Sequence, residues 1–104
     1  MVNEKYVLSP RASSHLVQIW RHLRNEAGEA VADRVEAEIK RQMRFLAENS
    51  GIGHIREDLT SKPVKFFPVH SWLIVYRPDT KPLQVVSILH SSRDVASILK
   101  ELIN

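Results

Sequence analysis

Three apolar runs follow one another closely in the second half of the chain: "VKFFPV" at 64–69, "WLIVYR" at 72–77 and "LQVVSIL" at 83–89. Their β-branched and aromatic content reads as three strands. His70-Ser71 leaves space for a two-residue hairpin turn, although neither residue favours φ > 0 as Gly or Asn would. "PDTKP", residues 78–82, is turn chemistry. Connections this short cannot carry a crossover, so the three strands must be antiparallel neighbours. Pro68 lies near the end of its strand and implies an edge or a bulge, where a missing N–H is tolerated.

The first half reads as helix. "KYVL" at 5–8 is a short strand candidate. Ser9 then supplies an N-cap oxygen and Pro10 suits the first helical position. Ala12, Leu16, Ile19, Trp20 and Leu23 recur as one apolar stripe, and Gly28 ends the helix near residue 26. A second helix runs from Glu29 to Glu48 with the stripe Val31, Val35, Ile39, Met43 and Leu46. Its acids (Glu29, Asp33, Glu36, Glu38) come early and its bases (Lys40, Arg41, Arg44) come late, which complements the helix dipole and reads as a solvated face. "ENSGIG" stops it, and residues 54–63 read as a surface loop. Val95, Ile98, Leu99 and Leu102 mark a short C-terminal amphipathic helix. The expected order is β-α-α-β-β-β-α: one α+β domain over residues 1–104, an antiparallel sheet with a helical hairpin on one face.

The chain has 104 residues and no cysteine, which excludes disulfides, thiolate metal sites and a cysteine nucleophile. The start "MVNEKYVLSP" has no apolar h-region, and "WLIVY" is too short to cross a bilayer. A soluble cytoplasmic protein is expected, with no membrane partner. A net charge of +3 permits an anionic partner and selects none.

The stretch "SILHSSRDVASIL", residues 87–99, poses the functional question. Either His90 is an acid–base group with Arg93 beside it to hold a phosphate, or these polar residues only end a strand and cap a helix. Ser91, Ser92 and Asp94 are natural caps for a helix starting near Val95. Strand parity puts His90 on a face with Gln84, Val86 and Ile88, opposite Leu83, Val85, Ser87 and Leu89. That partly apolar setting favours a local hydrogen-bonding role for His90. His15, His22, His54 and His70 are not spaced as metal ligands and read as structural or solvent-facing. No cofactor or metal is expected.

"LSPRASSHLVQIWRHL", "IGHIREDL", "SWLIVYR" and "ILHSSRDVASIL", in this order, resemble the ParE branch of the RelE/ParE toxin superfamily. The resemblance spans nearly the whole chain. It implies a toxin of a bacterial type II toxin–antitoxin system, with a small antiparallel sheet, an N-terminal helical hairpin and a C-terminal helix. The partners it implies are a cognate antitoxin that holds the toxin inactive and DNA gyrase as the target, engaged by binding, with no catalytic residues. Contacts with gyrase are then expected from His90 onward, at His90, Arg93, Ile98 and Leu102. An antitoxin segment is expected on Trp72, Ile74, Tyr76 and Leu99. Both faces of "WLIVYR" are apolar, and either that segment or the C-terminal helix must cover the second face. The RelE branch instead cuts mRNA in the ribosomal A site, and only that alternative calls for direct contact with nucleic acid. Its attack by a ribose 2′-OH needs a base, an acid and cations. His90, Arg77 and Arg93 are the candidates for that alternative, with Lys65, Arg56 and Tyr76 in reserve. The RelE branch carries a Lys/Arg cluster on its central strands and a Tyr or His near the C-terminus. Here nothing aromatic or imidazole follows His90, which leaves a thin constellation.

Overall fold

Ser9 joins the first helix to a strand far away in the chain. Its side chain accepts the Ala12 N–H at 3.0 Å, as an N-cap does, and donates to the Val86 carbonyl at 2.7 Å. Its own N–H donates to the Val85 carbonyl at 3.0 Å. The computed structural model that shows this describes residues 5–92 together with 95, 96, 98 and 99. The elements are β1 (Tyr6–Leu8), α1 (Pro10–Ala27), α2 (Glu29–Glu48), a 3₁₀ turn (Ser50–Ile52), β2 (Lys65–Val69), β3 (Trp72–Arg77) and β4 (Leu83–His90). Val95, Ala96, Ile98 and Leu99 are helical, as expected of the C-terminal segment, whereas Leu102 lies outside the described residues.

Gly28 makes the hairpin of α1 and α2. Its φ of 96° is a left-handed value that glycine takes without steric cost. Its N–H closes α1 on the Arg24 carbonyl and its C=O accepts the Ala32 N–H, so one residue ends the first helix and begins the second. The apolar stripes differ slightly from expectation. Ala32 is buried where Val31 is only half-buried. Trp20 leaves the stripe: its indole N–H donates to Asp33 at 2.8 Å and its ring lies 5.3 Å from the Arg24 guanidinium carbon. Asp33 therefore ties the two helices together rather than merely facing solvent.

The sheet order is β1-β4-β3-β2. β2, β3 and β4 form the expected antiparallel meander, but β1 pairs with β4 in parallel, which makes the sheet mixed. The meander leaves β4 with one open side, and β1 fills part of it before the chain turns away into α1. His70 adopts φ 53° in the β2–β3 turn, the only positive non-glycine φ among the described residues. A positive first central residue alone is the sign pattern of a II′ hairpin turn.

A bulge changes which residues share a face of β4. Val75 pairs with Ser87 while Tyr76 pairs with Val85, leaving Val86 extra. Leu83 and Val85 thereby join Ile88 beneath the helices, and Val86 turns to the opposite face. The regular alternation that grouped His90 with Gln84 and Val86 is thus corrected.

Both faces of the sheet are covered. Ile74, Tyr76, Val85 and Ile88 pack beneath Leu16 and Ile19 of α1 and Ile39, Met43 and Leu46 of α2. On the far face Phe66, Val75 and Leu89 meet Val64 and the helical residues Val95 and Leu99. Each fully buried aliphatic or aromatic side chain contributes roughly 1.5–3 kcal/mol relative to exposure. The outer edge of β2 is closed as well. Phe66 exchanges both backbone hydrogen bonds with His54, at 2.8 Å each. Strand alternation turns the nitrogen of Pro68 to that same outer side, where the lack of an N–H costs nothing. No helix among the described residues is long and apolar enough to cross a membrane.

Candidate functional site

The α1 residues His15, Gln18, Ile19 and His22 fall at i, i+3, i+4 and i+7, so they share one face. Opposite them stand Trp72 at the start of β3, Ile88 to His90 at the end of β4, and then Ser92 and Ile98. The space between is a groove of about 530 Å³. Its lining holds imidazoles, an amide, a hydroxyl and apolar side chains, with no carboxylate, lysine or arginine among the described residues.

His90 sits at the lip of this groove, half-buried. It meets Trp72 edge-on, with ring centroids 5.6 Å apart and planes at 85°. Its Nδ1 accepts the Ser92 N–H at 3.1 Å and lies 2.6 Å from the Ser92 hydroxyl. A backbone amide can only donate, so Nδ1 is the unprotonated nitrogen here and the hydroxyl donates to it as well. His90 therefore holds the turn after β4, the local role its strand-end position favoured. His15 does similar work: its Nδ1 accepts the Ile88 N–H at 3.2 Å, fixing α1 to β4.

The other sequence candidates are scattered. Arg77 pairs with Gln84, while Trp72 pairs with His90, so Arg77 and His90 lie at opposite ends of the β3–β4 hairpin. Five residue steps along β3 separate those ends, roughly 17 Å. Lys65 donates to the Gly51 carbonyl at 2.9 Å. Arg56 binds Asp58 through two hydrogen bonds, at 2.8 and 2.9 Å, and holds that carboxyl below its usual range. The Tyr76 hydroxyl donates to the Ser50 carbonyl at 2.8 Å and accepts the Gly53 N–H at 3.0 Å. Burial pushes this phenol above its ordinary value. Arg93 and Leu102 lie outside the described residues.

The four positions expected to receive an antitoxin differ in exposure. Ile74, Tyr76 and Leu99 belong to the chain's own two cores and are at most 1% exposed. Trp72 alone of the four reaches a groove. The second sheet face, for which a partner segment and the C-terminal helix were alternatives, is covered by Val95 and Leu99 at least in part. Of the expected target contacts, His90 and Ile98 do line the groove. Sequence reasoning missed the α1 wall. The seven-residue spacing of His15 and His22 is too wide for one metal, but it does put both on one face with Ile19. Among the described residues no cluster of three His, Asp or Glu side chains is arranged to hold a metal.

A second cavity, about 550 Å³, lies between the loop around residues 55–65 and Pro78-Asp79. It holds none of the candidate residues except Lys65, which is already engaged by Gly51.

The model of the family described as "ParE toxin of type II toxin-antitoxin system, parDE" matches residues 6–95, from β1 through the first described residue of the C-terminal helical segment. The chain belongs to the ParE toxin family. A solved structure titled "Chromosomal ParDE TA system from P. aeruginosa" is similar at a TM-score of 0.70 and 20% identity. That match covers 82% of this chain and 92% of that one, and the likeness is one of fold. No curated protein matches the chain. A ParE-type toxin is thus built here as a mixed sheet between a helical hairpin and a C-terminal helical segment.

Proposed function

We propose that this ParE-type toxin is held inactive in the cytoplasm by a cognate antitoxin and, once free, arrests growth by binding DNA gyrase and stalling its cleaved-DNA state. The family match over residues 6–95 carries the reading. The separation of Arg77 from His90 along the hairpin supports action by binding over RNA cleavage. A nuclease would need those groups within hydrogen-bond reach of one phosphate. The surface assigned to the target is the end of β4 and the segment beyond it, with His90 and Ile98 on the groove; Arg93 and Leu102 are assigned to it from the sequence alone.

The test is induced expression of the toxin alone in a bacterial host, with separate pulse-labelling of DNA and protein synthesis. An early halt in DNA synthesis, with the DNA-damage response induced, is the expected result. An early halt in translation, with mRNA cut inside codons, overturns it. His90→Ala separates the readings further: a ribonuclease loses its proton carrier and its toxicity, whereas loss of one binding contact leaves part of the growth arrest.

A further inference from the structure

The helical hairpin turns one face to the sheet, and the opposite face of each helix is exposed. On α1 the residues turned away from buried Ala12, Leu16 and Ile19 are Ser14, Gln18, Arg21 and Asn25, at i, i+4, i+7 and i+11. On α2 the residues turned away from Ala32, Ile39, Met43 and Leu46 are Ala30, Arg34, Ala37, Arg41 and Arg44. All nine are exposed, and none is a carboxylate. By the helical period, the acids of the same stretch (Glu26, Glu29, Asp33, Glu36 and Glu38) stand on the flanks of these two crests. Asp33 takes the Trp20 indole N–H there, and Glu38 pairs with Arg41. Arg21, Arg34 and Arg44 have no carboxylate partner among the described residues. None of the three stands in the last turn of its helix, where the dipole would favour a cation. Arg34 and Arg44 lie roughly 15 Å apart along α2. The bond between Trp20 and Asp33 sets Arg21 at the level of Arg34 across the hairpin.

A guanidinium fork fits a phosphate or a carboxylate, so the patch calls for an anion, and its neighbours decide which kind. Between the arginines stand only Ala, Ser, Gln and Asn. No aromatic ring on the crests offers the stacking platform that a single strand needs. No large apolar side chain on them can enter a bilayer interface or anchor a protein partner; Val17 and Phe45, the exposed large apolar residues of the hairpin, lie at its margins. A stiff row of phosphates, approached closely over Ala30 and Ala37, suits what remains.

We propose that the crest of the hairpin binds the backbone of duplex DNA, with Arg21, Arg34, Arg41 and Arg44 each meeting a phosphate. The choice of DNA rests on the gyrase reading above, in which the target holds a cut duplex. The crest faces away from the sheet while His90 and Ile98 face the groove, so one toxin can touch gyrase and its DNA together. Contacts to phosphate position the protein and carry no sequence preference.

The experiment titrates a fluorescently labelled, mixed-sequence DNA duplex with the full-length toxin and reads anisotropy over a series of salt concentrations. The slope of log K against log salt is expected at about −3 to −4, roughly −0.9 for each phosphate. Arg34→Gln with Arg44→Gln is expected to flatten the slope by about 2 and to weaken binding at least about tenfold, with the melting temperature unchanged. Lys62→Gln with Lys81→Gln removes the same charge from loops outside the hairpin and is expected to leave the slope as it was. Equal losses from the two pairs assign the effect to net charge and overturn the patch. Absence of binding at low salt overturns it as well. Tighter binding of a duplex RNA of the same sequence overturns the choice of DNA. Failure of duplex binding beside an early halt in DNA synthesis leaves the gyrase reading standing, whereas duplex binding beside an early halt in translation keeps the patch and overturns that reading.

Discussion

Gly53 packs so closely on the phenol of Tyr76 that a Cβ placed on it would lie 2.9 Å from Cζ and overlap the hydroxyl oxygen. The same hydroxyl joins the Ser50 carbonyl to the Gly53 N–H, so one buried side chain of β3 pins the turn after α2. Gly53→Ala forces the turn off the sheet and is expected to destabilise by about 1–3 kcal/mol. Tyr76→Phe leaves the Ser50 carbonyl and Gly53 N–H without this partner and is expected to cost a similar amount, about 1–3 kcal/mol. Because Phe removes the atom that the new methyl meets first, the double variant should lose less than the two single losses combined. Urea midpoints of the four proteins decide it, and strict additivity would sink the account.

Tyr76 also sets an alkaline limit. Its phenol is raised in the folded state chiefly by burial, against an ordinary value of 10.0. The unfolded chain therefore releases this proton first as pH rises, and stability falls wherever the unfolded state binds fewer protons. The contribution is complete below pH 10 and is lost as pH climbs from there through the folded value. Thermal melts from pH 8 to 11 should show a steeper alkaline decline in the native protein than in Tyr76→Phe. Parallel declines would show that burial does not hold this phenol.

Ser87 is completely buried between strands, and its hydroxyl has no hydrogen-bond partner among the described residues. An unsatisfied buried hydroxyl costs about 1–3 kcal/mol. Ser87→Ala removes it with little change in volume, and a gain of about 1 kcal/mol in unfolding free energy is expected. A shift of the urea midpoint to lower concentration would mean that the hydroxyl is paired in solution.

Arg77 stands at the end of the hairpin remote from the groove. On the binding reading, Arg77→Ala leaves growth arrest after induction essentially unchanged. Colony counts before and after induction, with a thermal melt to show that the variant folds, make the comparison. A folded Arg77→Ala protein without toxicity would favour the ribonuclease alternative.

The features legible in the sequence were those that neighbouring residues decide. The Ser9-Pro10 start, both ends of α2 and the bounds of β3 are set by caps and by periodicity over a few residues. The direction of β1 was not legible, because three residues carry no sign of which strand they join. Its neighbour contact, Ser9 to Val86, spans 77 positions. Nor was the parity of His90, since the bulge at Val86 arises from the pairing of two strands and not from either alone. The groove was half visible. His90 drew attention for its own chemistry, but its wall of His15, Gln18 and His22 became one only when α1 settled across the end of β4.

The pairing of β1 with β4 joins the first described strand to the last. As the protein emerges from the ribosome, the helical hairpin appears early, with its apolar stripe facing no sheet. β1 has no neighbour until residues 83–85 have also left the ribosome. Nascent chains stalled at residue 82 should therefore be digested readily, and chains released in full should resist. At about 5–20 residues per second, synthesis from β1 to the start of β4 takes several seconds. A toxin wired in this way can close its sheet only after residue 85 has left the ribosome, long after the helical hairpin has been made.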